Sequence, residues 1–411
     1  MINENTRKNT IWNIIGTTIN AFSSLFFMII VTRVNGVFDA GIFTFAFSTA
    51  TMFNIIGVYA GRIYQVTDND NNTNKDYFIS RIISCGLMLI ISLLFVKIRN
   101  YNGVKALIII IVCIWKLLEA AADVIYAYFQ KDDELYKVGI SLTIKNILGL
   151  FFFLIVDLLT KDVLFSCLAF VCIYIFLLLF YDCRKLKSMN ILNEKWSVED
   201  IKKIYINGFA TFCTTFLTMY LINASKYSID SLTSDDIQAI FGIIIMPATV
   251  MILIAQFIIH PFLLFINQKI KEKNYADLSK IIIKMSAFIC IIGIIAVIGC
   301  HFVGIFVFKL IYDLNLEKYK ICLDIILIGA IFYALTSIIN TVLIAMRHTV
   351  VQMIVYAIIS IISLFSSYYL VLKKGIFGAS INYLFVMFLS FIVFLIVYKI
   401  IVKRKVSKNG K

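Results

Sequence analysis

Long apolar blocks follow one another along the chain, separated by short polar stretches. This is the pattern of helices that cross a bilayer, each about 20 residues long. It predicts twelve spans, at residues 11–34, 40–61, 78–96, 104–128, 138–156, 163–181, 204–223, 237–267, 281–308, 321–346, 350–372 and 376–402. The eighth is too long for a straight crossing. It holds both prolines of the chain, Pro247 and Pro261, so a kink or break is predicted there. Spans one and seven carry polar faces: Asn13, Thr17, Thr18, Asn20, Ser23 and Ser24 in one, Asn207, Thr211, Thr214, Thr215 and Thr218 in the other. Such side chains bond across helices or line a wet surface. The shared pattern suggests two halves built alike, a common transporter plan. The expected class is therefore an all-α integral membrane protein with two six-helix lobes, residues 1–181 and 204–411. The longest polar connection, the basic stretch 182–203, links them on the cytoplasmic side, and its pattern around Trp196 predicts a helix lying on the membrane surface.

The fourth span breaks the apolar rule. Its inner half holds Lys116, Glu119 and Asp123, which fall within about 60° of one another on a helical wheel. A charge at bilayer depth costs roughly 2.5–3.5 kcal/mol even on insertion scales, so the stripe cannot face lipid. It forms either a structural ion pair, Lys116 with Glu119, or the lining of a polar pathway.

Composition confirms the membrane class: 61% hydrophobic and 15% charged residues, with a mean hydropathy of +0.93, against about half and one quarter in soluble domains. The net charge of +14 would suggest nucleic acid in a soluble protein. Here the bases cluster in short loops, so topology is the simpler cause and no nucleic-acid partner is expected. With twelve spans, the side holding both termini carries more than twice as many lysines and arginines as the other. That places the termini in the cytoplasm. The nine cysteines lack ligand spacing and read as packing residues.

No phosphate-binding loop or metal motif is present, and His260, His301 and His348 are isolated in sequence. Asp68-Asn69-Asp70 matches a metal-binding DxD, but in a low-complexity Asn/Asp loop. The loops opposite the termini are too short for a catalytic domain. An enzyme is disfavoured and no cofactor or metal is expected. What remains is a bundle with embedded cations. Arg33, Arg62, Lys116, Lys145 and Lys226 are candidates for a cationic cavity suited to an anionic substrate. For Arg33, Arg62 and Lys226 the alternative is an interfacial anchor. Glu119 and Asp123 are candidates for carrying coupling protons, or for neutralising Lys116.

Asn9-Thr10-Ile11-Trp12-Asn13 with Arg33-x-x-Gly36 resembles the start of bacterial polysaccharide repeat-unit flippases of the Wzx type, members of the multidrug/oligosaccharidyl-lipid/polysaccharide exporter superfamily. Tyr64-Gln65-Val66-Thr67-Asp68 with Asp76-Tyr77-Phe78 and Arg81 is similar to the same family. So are Tyr227-Ser228-Ile229-Asp230, Gln238-Ala239-x-Phe241-Gly242, Met246-Pro247, Met346-Arg347 and Gly378-Ala379. The resemblance covers nearly the whole chain through order and spacing. It implies a V-shaped, MATE-like pair of lobes in the bacterial plasma membrane. By alternating access they would move an undecaprenyl-pyrophosphate-linked oligosaccharide to the outer leaflet for O-antigen, capsule or exopolysaccharide synthesis. Polysaccharide polymerase and chain-length machinery are the implied partners, besides membrane lipids. It also implies a pyrophosphate-engaging role, carried to Arg33, Arg62 and Lys226. The first span lacks the mid-helix arginine of peptidoglycan-precursor flippases, and twelve spans stand where those have fourteen. The competing readings are a multidrug and toxin extrusion cation antiporter, an integral membrane glycan polymerase or glycosyltransferase, and a structural subunit of a glycan-assembly complex.

Overall fold

The computed structural model describes residues 4–59, 61–67, 72–189 and 191–409. Among them every regular element is helical. In chain order these are α1 (Glu4–Val34), α2 (Val37–Val58), α3 (Gly61–Thr67), α4 (Asn74–Ile98), α5 (Gly103–Lys131), α6 (Leu135–Thr160), α7 (Val163–Leu177), α8 (Cys183–Ser188) and α9 (Val198–Leu232). Then come α10 (Asp235–Ile244), α11 (Met246–Ile259), α12 (Leu263–Lys271), α13 (Tyr275–Gly299), α14 (Ile305–Tyr312), α15 (Lys320–Ala345) and α16 (Thr349–Asn409). Among the described residues ten helical stretches are long and apolar enough to cross a membrane. The 29-residue α5 stands outside that set because of its charges. The 61-residue α16 counts once, although its backbone turns at Gly375 (φ 53°, ψ −130°). Adding α5 and taking α16 as two arms gives the twelve spans that the sequence pattern requires. Ser366 Oγ donates to Asn382 Oδ1 across the turn at 2.7 Å, so the arms of α16 run back along each other. A Cβ at Gly378 would collide with the Leu370 carbonyl, which is why glycine stands there.

The long eighth span breaks at both prolines. Pro247 lies in the first turn of α11, where its missing N–H costs nothing. Pro261 lies in the 3-10 turn His260–Phe262, between α11 and α12.

Contacts group the chain into two units, Met1–Phe216 and Leu217–Lys411. The boundary falls inside α9, so residues 204–216, which the sequence pattern assigned to the second lobe, pack with the first. The cause is a polar and aromatic clasp. Tyr205 Oη donates to the Ser80 carbonyl at 2.7 Å and bonds Ser84 Oγ at 2.8 Å. Tyr59 Oη donates to the Tyr205 carbonyl at 2.8 Å, and its ring stacks on Phe212 at 4.7 Å.

Within the first unit, α1 lies against α6 at Gly16 and Gly139. A Cβ on either would run into the backbone of the other helix, the small-residue crossing common in membranes. The core beside it is aromatic: Phe27 meets Trp115, Phe153 and Phe170 edge-on at 4.8, 4.9 and 5.1 Å.

The connection 182–203 differs from expectation at two places. Asp182 is fully buried, not part of a polar linker, because α7 continues through a π turn, Leu178–Asp182, into α8. No helix forms around Trp196. The stretch binds the start of α4 instead: Lys75 N–H donates to the Glu194 side chain at Oε2 at 3.1 Å, and Ser197 N–H donates to Asp76 Oδ1 at 3.0 Å. These carboxylates compensate the positive end of α4. Beyond the spans, Lys185 ties α8 to Asp132 and Glu134 at 2.6 and 2.7 Å. Partial burial works against the charge of Glu134, but hydrogen bonds from Lys137 and Lys185 hold its carboxyl below the ordinary value. Asp68-Asn69-Asp70 lies outside the described residues.

Candidate functional site: embedded charges of the two units

In the first unit the stripe on α5 is met from two neighbouring helices. Lys116 Nζ donates to both carboxylate oxygens of Glu119 at 2.9 Å. Its ammonium also sits 4.6 Å from the Phe47 ring centroid and 5.1 Å from that of Trp115, a favourable cation–π seat in an apolar setting. The Lys116 carbonyl accepts from Asn54 Nδ2 of α2 at 2.6 Å. Asp123 has a different partner. Arg81 of α4 donates through Nη2 to Asp123 Oδ2 at 3.1 Å and through Nη1 to the Gly57 carbonyl at 3.2 Å. One guanidinium thus joins the end of α2, α4 and α5.

The exposures of these four side chains decide which of them can meet a solute. Arg81 and Lys116 are 7% and 11% exposed, while Asp123 and Glu119 are 23% and 21% exposed. The cations are largely sealed and the carboxylates form the more open side. A small pocket beside Arg81 is lined by Tyr59, Ser80, Ser84 and Tyr205, so the arginine stands among hydroxyls.

Lys145 belongs to a second, fully buried cluster. Its ammonium pairs with Asp182 and donates to Tyr126 Oη at 3.1 Å, lying 4.3 Å from the Tyr174 ring centroid. Ser141 Oγ donates to Asp182 Oδ1 at 2.8 Å and bonds Tyr126 Oη at 3.0 Å. Lys145 and Asp182 are 1% and 0% exposed, so this pair is satisfied internally. The π turn is what makes it. One extra residue in the helical ladder carries Asp182 around to face α6.

The remaining cations stand elsewhere. Arg33 is exposed in the last turn of α1, and Arg62 is half-buried on the short α3. Lys226 is half-buried on α9 in the second unit, beside a ladder of small polar groups. Ser225 Oγ donates to the Ala379 carbonyl at 2.9 Å, Asn382 Nδ2 donates to Ser225 Oγ at 3.1 Å, and Ser228 Oγ donates to Ser367 Oγ at 2.8 Å. Lys116 and Glu119 therefore pair as their spacing suggests, and Asp123 joins them on one stripe. Two partners were not identified from sequence. Arg81 stood there only as part of a family pattern, and Asp182 was assigned to a linker. The available signal for Arg81 was its place one turn inside an apolar run.

No family model matches this chain. Among proteins of known role, it is 26% identical to the capsular polysaccharide biosynthesis protein CapF of Staphylococcus aureus, over 95% of this chain and 99% of that protein. Among solved structures, an inward-facing multidrug resistance MATE family transporter of the MOP superfamily superposes with a TM-score of 0.70, covering 96% of this chain and 99% of the other at 11% identity. The chain has the MATE-type fold. The lipid II flippase MurJ, in an inward closed conformation, gives a TM-score of 0.69 at 15% identity, covering 95% of this chain and 87% of the other. The same architecture thus carries both a drug transporter and a lipid flippase, and this chain, with its apolar helices, is a multi-pass membrane protein.

Proposed function

We propose that this protein flips a lipid-linked oligosaccharide repeat unit from the cytoplasmic to the outer leaflet for surface polysaccharide synthesis, by alternating access and without covalent chemistry. The observation that carries this reading is the similarity to a capsular polysaccharide biosynthesis protein along almost the whole of both chains. The embedded charges support it. Holding Arg81, Lys116, Glu119 and Asp123 inside apolar helices is costly, and a purely structural bundle has no need of half-open carboxylates. Arg62 and Lys226 are assigned to the anionic phosphate part of the substrate, because both are cations that their surroundings leave only half-buried. Lys145 is given no contact with substrate, since Asp182 already occupies it. Both termini are assigned to the cytoplasm from the distribution of bases, and the polymerase acting on the delivered units is the expected downstream partner.

The test is the pool of polyprenyl-pyrophosphate oligosaccharide in cells lacking this protein but making repeat units normally. Complete, unpolymerised units should accumulate on the cytoplasmic side while surface polymer is lost. Arg62→Ala and Lys226→Ala at unchanged protein level should lower surface glycan. An unchanged pool with normal polymer overturns the reading. The MATE neighbours favour a second one, extrusion of soluble organic cations, which would appear as increased drug sensitivity in the same cells.

A further inference from the structure

The turn between α4 and α5 brings together Lys97, Arg99 and Lys105 in one short connection. With the termini assigned to the cytoplasm, this turn faces the outer side, where bases are the minority. Its backbone is fixed. Asn100 takes the left-handed conformation (φ 53°) that closes α4. The Asn100 N–H donates to the Lys97 carbonyl and the Tyr101 N–H to the Val96 carbonyl, both at 3.1 Å. This is a Schellman ending, and Asn102 Nδ2 adds a bond to the Asn100 carbonyl at 3.1 Å. It places Arg99 and Tyr101 on either side of the left-handed residue. The Tyr101 ring is seated on Phe45 of α2 at 5.6 Å and on Phe95 of α4 at 5.9 Å. Both cations are held against that ring. The Arg99 guanidinium stands 5.8 Å from its centroid, and Arg99 Nε donates to its Oη at 3.3 Å. The Lys105 ammonium stands 5.2 Å from the same centroid and 5.4 Å from that of Phe45.

A basic residue that only anchors a span reaches outward on its own stem. Here two are drawn onto one aromatic base, where their charges repel each other. Lys105 also lies in the first turn of α5, an end where the helix dipole disfavours a cation. An anion held by both side chains relieves these costs together. Arg99 is exposed and Lys105 half-buried, so both are within reach of a ligand. Leu94, Ile98 and Val104, on the adjoining helix ends, are exposed and apolar. The complementary ligand therefore has a phosphate group for the cations and an alkyl chain for the apolar side chains. We infer that Arg99, Lys105 and Tyr101 form a docking site for a phosphate-headed lipid at the membrane boundary, separate from the embedded charges. Its place in transport rests on the flippase reading, in which this is the leaflet that receives the lipid diphosphate.

The test uses the purified full-length protein in detergent and follows amide hydrogen exchange in residues 97–106 by mass spectrometry. Farnesyl diphosphate, farnesol and inorganic pyrophosphate are added in turn at equal concentrations. Farnesyl diphosphate should slow exchange saturably and farnesol should not. The double variant Arg99→Gln with Lys105→Gln should weaken the apparent affinity by about tenfold or more. Protection by farnesyl diphosphate but not by pyrophosphate supports a lipid-borne phosphate. Equal protection by both supports the same site taking a phosphate from solution. No protection in the native protein, or equal protection in the double variant, overturns the inference. That result leaves the flippase reading standing, because the pool of unpolymerised units is measured in cells. An unchanged pool would in turn leave the binding result as it is.

Discussion

Arg81 concentrates the electrostatics of the first unit in one side chain. It is nearly sealed, yet it satisfies both an acid on α5 and a carbonyl at the end of α2. Removing one member of a buried pair leaves an uncompensated charge, which costs about 3–5 kcal/mol. Arg81→Gln is thus expected to destabilise strongly, and the double variant Arg81→Gln with Asp123→Asn to recover much of the loss. A double-mutant cycle on unfolding in detergent checks this, and additive effects would mean the two residues are not coupled. Pairing of this kind was only half legible in the sequence. Lys116 and Glu119 are three residues apart on one helix, so their contact follows from helical geometry. The partners of Asp123 and Lys145 lie on other helices, 42 and 37 residues away. No spacing rule reaches that far.

At the scale of the element, apolar run length specified the spans well, because a membrane helix must satisfy its own backbone and cover itself in hydrocarbon. The breaks at Pro247 and Pro261 were legible for the same reason. The stretch around Trp196 was not. Glu194 and Ser197 are taken up by bonds to the first turn of α4, a contact that no local periodicity announces. Close helix contact was also unread, since Gly16 and Gly139 look unremarkable in a row of apolar residues. Gly139→Ala adds a methyl where the Trp12 carbonyl already stands. Overpacking of this kind costs about 1–3 kcal/mol. The melting temperature should fall for Gly139→Ala but hold or rise for Gly86→Ala, where a Cβ meets nothing within 4 Å and helix propensity improves. Equal melting temperatures for the two variants would remove the crossing from the account of stability.

For the whole molecule, the chain reads as two six-span units with α9 contributing to both. The fold class was legible from hydropathy. The place where one unit ends was not, because it depends on the hydroxyls of Tyr59 and Tyr205 and not on any change in composition. Orientation in the membrane can be measured directly. With the termini cytoplasmic, an impermeant thiol reagent should label Asn100→Cys in intact cells, since Asn100 lies in the turn between α4 and α5. Asn409→Cys should be labelled only after permeabilisation, each judged against the parent protein. The reverse pattern would invert the topology.

The π turn before α8 has a further consequence, best put as one of phase. A single additional residue in a helix shifts everything after it by roughly 100° relative to what came before. An uninterrupted wheel drawn through residues 163–188 therefore points Asp182 away from Lys145, and only the shifted wheel brings them together. The ion pair is specified by local winding as much as by side-chain identity. Winding residues 178–182 as plain α-helix at full chain length would strip Lys145 of its counter-ion although every charged residue of the protein was still present. Losing one residue between 178 and 181 would instead leave the carboxylate in its present phase.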